Sequence, residues 1–138
     1  MRKKFASLGF QGKTGTRVSF ATSEERYLYT IDRALKTEAV WCLSDCQGDL
    51  VLPVSGRLAV CIWPTAQAAQ DFADIDLHNQ SRPRKISLAE LMETAQQLQQ
   101  EGHYWFAVYP TRDSAYIAAP KLLLTDLTTQ DLVLKPQF

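Results

Sequence analysis

The stretch V-W-C-L-S-D-C-Q-G-D-L-V-L-P-V-S-G-R-L-A-V-C-I-W-P, residues 40–64, decides the fold. Apolar runs flank Asp45-Cys46-Gln47-Gly48, and Ser55-Gly56 separates the second run from a third. Short polar breaks with glycine between β-prone runs are the hairpin signal. The block therefore predicts a meander of three antiparallel strands over 38–44, 49–54 and 58–63. Pro53 has no N–H to give to a ladder, so the middle strand should lie at an edge or end early.

Upstream, Thr22-x-x-Glu25 has capping-box spacing, and Tyr27, Leu28, Ile31, Ala34 and Leu35 form one apolar stripe that ends near Lys36. Downstream, Pro64 stops the third strand. Thr65 can cap a short helix over 66–74 with Ala66, Ala69, Phe72 and Ala73 inward. Asp76 to Lys85 reads as a polar loop. Ser87-Leu88-Ala89-Glu90 then opens the clearest helix, with Leu88, Leu91, Met92, Ala95 and Leu98 on one face and Gly102 as its stop. Glu90, Glu93, Gln96, Gln97, Gln100 and Glu101 form the opposite, solvent face. His103 to Tyr109 is apolar on both parities, which marks a strand covered on both sides. It should pair as a hairpin with Ala115–Ala119, after which Pro120 opens a short helix carrying Leu122, Leu123 and Leu127. The order α-βββ-α-α-ββ-α is that of an α+β domain: one antiparallel sheet of about five strands with helices packed on it.

With 138 residues, 46% of them hydrophobic and 22% charged, the chain is one domain's worth and needs no metal or disulfide to fold. No run approaches the ~20 apolar residues of a membrane span, and Phe5 to Phe10 is too short and polar for a signal peptide. A cytoplasmic location is expected. The zero net charge hides an asymmetry. Residues 1–22 carry Arg2, Lys3, Lys4, Lys13 and Arg17 and no acid, which leaves residues 23–138 with a net charge of −5. An acidic body disfavours nucleic acid, except through the basic leader. The domain is therefore read as 23–138, with a flexible leader before it.

Chemical signatures are sparse. Cys42, Cys46, Cys61, His78 and His103 are the soft ligands, and one Cys-x3-Cys pair falls short of a zinc knuckle. No metal and no cofactor are expected. There is no G-x-S-x-G, and the three cysteines should be reduced, with Cys42 and Cys61 buried as small hydrophobes. Asp71, Asp74 and Asp76 lack the glycine and terminal Glu of a calcium loop. Gly12-x-x-Gly15 is not followed by Lys-Ser/Thr, so no phosphate loop is present. No catalytic residue is assigned. Arg82, Arg84 and Lys85 stand directly before the Ser87 helix start, a combination that favours anions. Of Trp41, Trp63 and Trp105, all expected in the core, Trp63 at its strand end is the best placed for exposure to a partner.

The succession of landmarks carries a resemblance. They are Tyr27…Ile31, Val40-Trp41-x-Leu43 with Gly48 five on, Ile62-Trp63-Pro64 with Ala68-Ala69, Pro83-Arg84-Lys85-Ile86-Ser87-Leu88-x-Glu90-Leu91, and Leu98…Gly102…Phe106-Ala107-Val108-Tyr109-Pro110. Over residues 24–127 they resemble a family of small bacterial proteins known as domain of unknown function 2750. The resemblance implies a bacterial cytosolic α+β domain and no particular activity, so it transfers no catalytic residue.

Two functions are then in play. The first is a non-enzymatic module that binds a protein partner, with Trp63 at its contact surface. The alternative is a small enzyme or binder of a phosphate-bearing ligand held by Arg82, Arg84, Lys85 and Ser87, with His78 nearby. The leader, with Gly9, Gly12 and Gly15 and no sustained periodicity, cannot offset backbone ordering at ~1–2 kcal/mol per residue. Deleting residues 1–15 should accordingly leave the melting temperature nearly unchanged in a calorimetric scan, whereas a large loss would place the leader in the core.

Overall fold

Helix α1, Ser23–Thr37, starts at the box that the sequence marks. Thr22 Oγ1 accepts from the Glu25 N–H at 3.0 Å, and Glu25 Oε1 accepts from the Thr22 N–H at 3.2 Å. Glu38 closes the helix in the left-handed region, with φ 60°. The computed structural model describes residues 22–76 and 80–137. The leader up to residue 21 and His78 lie outside the described residues.

The meander follows. Strand β1, Ala39–Asp45, turns through Cys46-Gln47 into β2, Gly48–Asp49, and the chain continues as β3, Val51–Val54, then β4, Arg57–Ile62. Each successive pair is antiparallel, as expected. The middle strand, however, is shared between two sheets and bends at Leu50. The Leu50 N–H donates to Leu43 O at 2.7 Å, while its carbonyl accepts from the Cys61 N–H at 3.4 Å. The β3–β4 connection is Ser55-Gly56, both with positive φ (50° and 80°), as a two-residue hairpin loop requires. In such a hairpin Val54 and Arg57 form a hydrogen-bonded pair, so by alternation Pro53 points its missing donor to the free side. Strand β3 is indeed an edge.

Helix α2, Ala66–Asp76, is anchored by Thr65, whose Oγ1 accepts from the Ala68 N–H at 3.0 Å. The stretch read as a polar loop then departs from expectation, because Arg82–Ser87 is a strand, β5. It pairs antiparallel with β1 over six positions, from Ala39↔Ser87 to Ser44↔Arg82. Its own pattern holds one buried side chain, Ile86, so no apolar periodicity announced it. Its partner specifies it. As the outer strand of the β2-β1-β5 sheet it carries charges and Pro83, the usual protection of an edge.

Helix α3, Leu88–Glu101, is capped by Ser87 Oγ, which accepts from the Glu90 N–H at 3.1 Å, and ends at Gly102 with φ 77°. Strands β6, Tyr104–Val108, and β7, Tyr116–Ala118, form the expected hairpin, and helix α4, Pro120–Gln137, is longer than its apolar residues suggested. The second sheet has the order β3-β4-β6-β7, with β6 in its interior. Its β4–β6 pair is parallel, from Leu58↔Tyr104 to Ile62↔Val108. The expected single antiparallel sheet is therefore two sheets, one of them mixed. The physical reason is connection length. Only a long crossover permits parallel pairing, and α2, β5 and α3 all lie between β4 and β6.

The sheets present two faces. Tyr27, Ile31 and Ala34 of α1, Leu91 and Ala95 of α3, and Leu123 and Leu127 of α4 cover Val40, Cys42, Ile62, Phe106 and Val108. On the other side Ala69, Phe72 and Ala73 of α2 cover Leu43, Ala59, Cys61, Trp63 and Ala107. Two stripe positions miss the core, since Leu28 is 50% exposed and Leu122 40%.

Met92 is half-buried against the first cluster, while Gln97 is exposed. Met92→Asp should cost about 1–3 kcal/mol, because a carboxylate would be pressed against apolar neighbours without a partner. Gln97→Asp should cost much less. Equal shifts of the denaturation midpoint would show the face assignment to be wrong.

Candidate functional site

Strand β5 does not gather its basic residues into one cradle. Register places Arg84 opposite Cys42 and Lys85 opposite Trp41, on opposite faces of the strand. Arg84 is engaged: its Nε donates to Asp49 Oδ1 at 3.2 Å and its Nη2 to Asp49 Oδ2 at 2.7 Å. Its Nη1 lies 3.5 Å from Glu90 Oε2. The carboxylate of Glu90 thus turns to Arg84, and Ser87 is left as a one-sided cap. Ser44 Oγ donates to Asp49 Oδ1, and the Cys42 thiol lies 3.5 Å from the same oxygen. The hydrogen bond from Arg84 holds the Asp49 carboxyl below its usual range, and Asp49 in turn raises Arg84. This cluster ties β2, β1, β5 and α3 together. Its guanidinium faces two carboxylates, so an incoming phosphate would have to displace them. Arg82 Nη1 donates to Ser81 O at 3.1 Å, and Ser87 is committed to the cap.

Trp63 is where the sequence reading fails most plainly. It is 0% exposed. Its ring lies 5.2 Å from that of Phe72, and its Nε1 donates to Pro110 O at 3.0 Å. A strand end is exposed only if no second sheet continues from it, and here one does.

A second cationic group, not singled out in the sequence, is Arg26, 7% exposed on α1. Its Nε donates to Tyr109 O at 3.1 Å, and its Nη2 donates to Ser114 Oγ at 2.6 Å and to Ser114 O at 3.2 Å. Burial lowers its pKa, with Tyr109 and Asp113 opposing the shift. Tyr109 adopts φ 52°, which is strained for an aromatic residue, and Arg26 holds the loop that requires it. Neighbouring Tyr27 donates to Asp126 Oδ2 at 2.5 Å and stacks on Tyr116 at 4.2 Å. Burial raises its pKa. These groups fasten α1 to the β6–β7 loop and to α4, and no nucleophile stands beside a base among them.

The remaining candidate is the end of the second sheet that the helices leave uncovered. On one face Leu58 (41% exposed) stands beside Pro53 and the half-buried Tyr104, joined by register through Pro53↔Leu58 and Leu58↔Tyr104. Val51 (38%) lies farther along the edge strand, opposite Val60. On the other face Trp105 is half-buried and belongs to neither core cluster, against its expected core role. The guanidinium carbon of Arg57 lies 4.8 Å from its ring centroid. Such an exposed contact is worth about 0.5–1 kcal/mol. The one signal available in the sequence was position, since Trp105 lies three residues after the helix-ending Gly102, near a sheet end.

Among the described residues no three His, Cys, Asp or Glu groups come together as a metal site, and no helix is long and apolar enough to cross a membrane. Cys42 and Cys61 are buried and Cys46 exposed, all three as free thiols. Burial pushes Cys42 from 9.0 up to about 11 and Cys61 up to about 12. Thiol titration of the native protein at pH 8 should thus find Cys46 fast-reacting and the other two protected until unfolding. The unfolded chain loses these two protons near pH 9 while the folded one keeps them, so this contribution to stability is present below pH 9. It falls as pH rises toward 11–12. Three fast thiols at pH 8 would contradict the burial.

No curated protein matches the chain. The model of a family described as a protein of unknown function, DUF2750, matches residues 27–127, well over half the length. This span runs from Tyr27 on α1 to Leu127 on α4, the two helices joined by the Tyr27–Asp126 bond, and the chain belongs to the DUF2750 family.

Proposed function

We propose that the protein is a non-enzymatic interaction module of the bacterial cytosol, and that it binds a protein partner through the uncovered end of its second sheet. One observation carries the reading: Leu58 and Tyr104 on one face, and Arg57 over Trp105 on the other, lie at the end of that sheet where neither core cluster reaches. Trp, Tyr and Arg are the residue types that dominate the energetics of protein interfaces. An apolar cluster at a sheet end is the kind of patch that a partner covers. The chain's resemblance to a family of small bacterial proteins supports the cytosolic setting.

The phosphate-ligand alternative draws less support, because Arg84 is held by Asp49 and Glu90. A pair of variants separates the two. Leu58→Glu should leave the melting temperature within a few degrees, since the side chain is already exposed, and should abolish co-purification of the partner from the native host. Arg84→Gln should leave that partner bound. Retention of the partner by Leu58→Glu, or thermal stabilisation by inorganic phosphate that Arg84→Gln removes, would overturn the reading in favour of the anion site.

A further inference from the structure

The cations of this protein fall into two kinds. Arg84 and Arg26 spend their donors inside the fold, on Asp49 and Glu90 in one case and on Tyr109 and Ser114 in the other. Arg57 is different. Among the described residues its guanidinium has no hydrogen bond and no ion pair, and it lies over the Trp105 ring. A guanidinium over an aromatic face keeps its N–H fork available while the ring biases its position, which lowers part of the ordering cost of binding a carboxylate.

The surroundings of Arg57 narrow the ligand. Val54 is its cross-strand partner, Leu52 is paired with Ala59, and Ala59 is paired with Trp105. Leu52 and Val54 are half-buried hydrophobics on this same face. The fork therefore sits at the border of an apolar shelf. Strand addition at the neighbouring edge is poorly served, since Pro53 removes one of the outward donors of β3. Side-chain contacts are left as the means of recognition. A nucleic acid or an anionic lipid surface is recognised by several cations together, whereas a single carboxylate needs one guanidinium.

We propose that Arg57 and Trp105 dock an acidic peptide segment of the partner protein, a carboxylate on the guanidinium and an adjoining apolar side chain on the Leu52–Val54–Trp105 shelf. The inference rests on the interaction-module reading and names the chemistry of the partner.

The test is selection of a phage-displayed library of random peptides on the full-length protein, followed by titration of the enriched peptides. Enriched sequences should place Asp or Glu beside an aliphatic or aromatic residue. Their affinity should fall about tenfold in Arg57→Gln, as for loss of a charge-assisted hydrogen bond, and weaken with added salt. Unchanged melting of Arg57→Gln would confirm that the loss is local, and Trp105→Leu should weaken the same peptides. Enrichment of basic or purely apolar peptides would overturn the proposal. So would no enrichment, undiminished binding to Arg57→Gln, or displacement of the peptide by an equal concentration of free glutamate. Arg57-dependent binding of an oligonucleotide or of anionic vesicles in place of peptide would overturn it as well. Peptides that survive Arg57→Gln but are lost in Leu58→Glu would leave the module reading intact and remove this site alone. Peptides indifferent to both substitutions would remove both.

Discussion

The structure depends on Trp63. Its backbone exchanges two hydrogen bonds with Trp41, at 2.8 and 2.7 Å, which stitch β1 to β4 at the end of the seam opposite Leu50. Its ring meets Phe72 of α2, and its indole N–H reaches the Pro110 carbonyl beyond β6. Both sheets, one helix and the β6–β7 loop thus converge on one fully buried side chain. The indole donor is part of that constraint. A buried polar group without a partner costs about 1–3 kcal/mol, so a shape-matched replacement lacking the N–H would strand the Pro110 carbonyl.

Around that junction the charged residues act as fasteners. Arg26 holds the loop that contains Pro110, and so holds the acceptor that Trp63 needs. The Arg84–Asp49 pair spans the first sheet from β5 to β2 across β1, and Glu90 links it to the first turn of α3. Asp49 is at the edge and only partly shielded, so this pair sets local geometry more than global stability. Both arrangements turn polar groups toward each other.

Much of the fold was legible in the sequence, and the reasons differ by element. Helices α1 and α3 declared themselves through caps and 3.6-residue stripes, signals that are local and survive in isolation. The meander declared itself through two short turns. Strand β5 did not, because Arg82, Arg84 and Lys85 are exposed and the strand exists through its pairing to β1. The parallel β4–β6 pair was equally invisible, since no local pattern records which distant strand lies alongside. Trp63 and Trp105 exchanged roles for the same reason. Whether a strand-end tryptophan is buried depends on what the rest of the chain places over it. Of the candidate residues, the basic cluster was legible as charge, but its internal pairing with Asp49, thirty-five residues away, was not.

The distribution of cover over the sheets leaves the contact proposed above at one end of the second sheet. Three helices lie on one face and one on the other, and the helices reach the C-terminal half of β6 while leaving its first residues bare. Burial along that strand runs from half-buried Tyr104 and Trp105 to fully buried Phe106, Ala107 and Val108. The buried end carries Tyr109, Pro110 and the fastening Arg26, where any displacement would loosen the Trp63 junction. The bare end carries Arg57, Leu58 and Trp105, none of which takes part in the Trp63 junction. Rigidity and accessibility are thus separated along a single strand. A site at the bare end inherits a fixed geometry from the buried end without exposing the core.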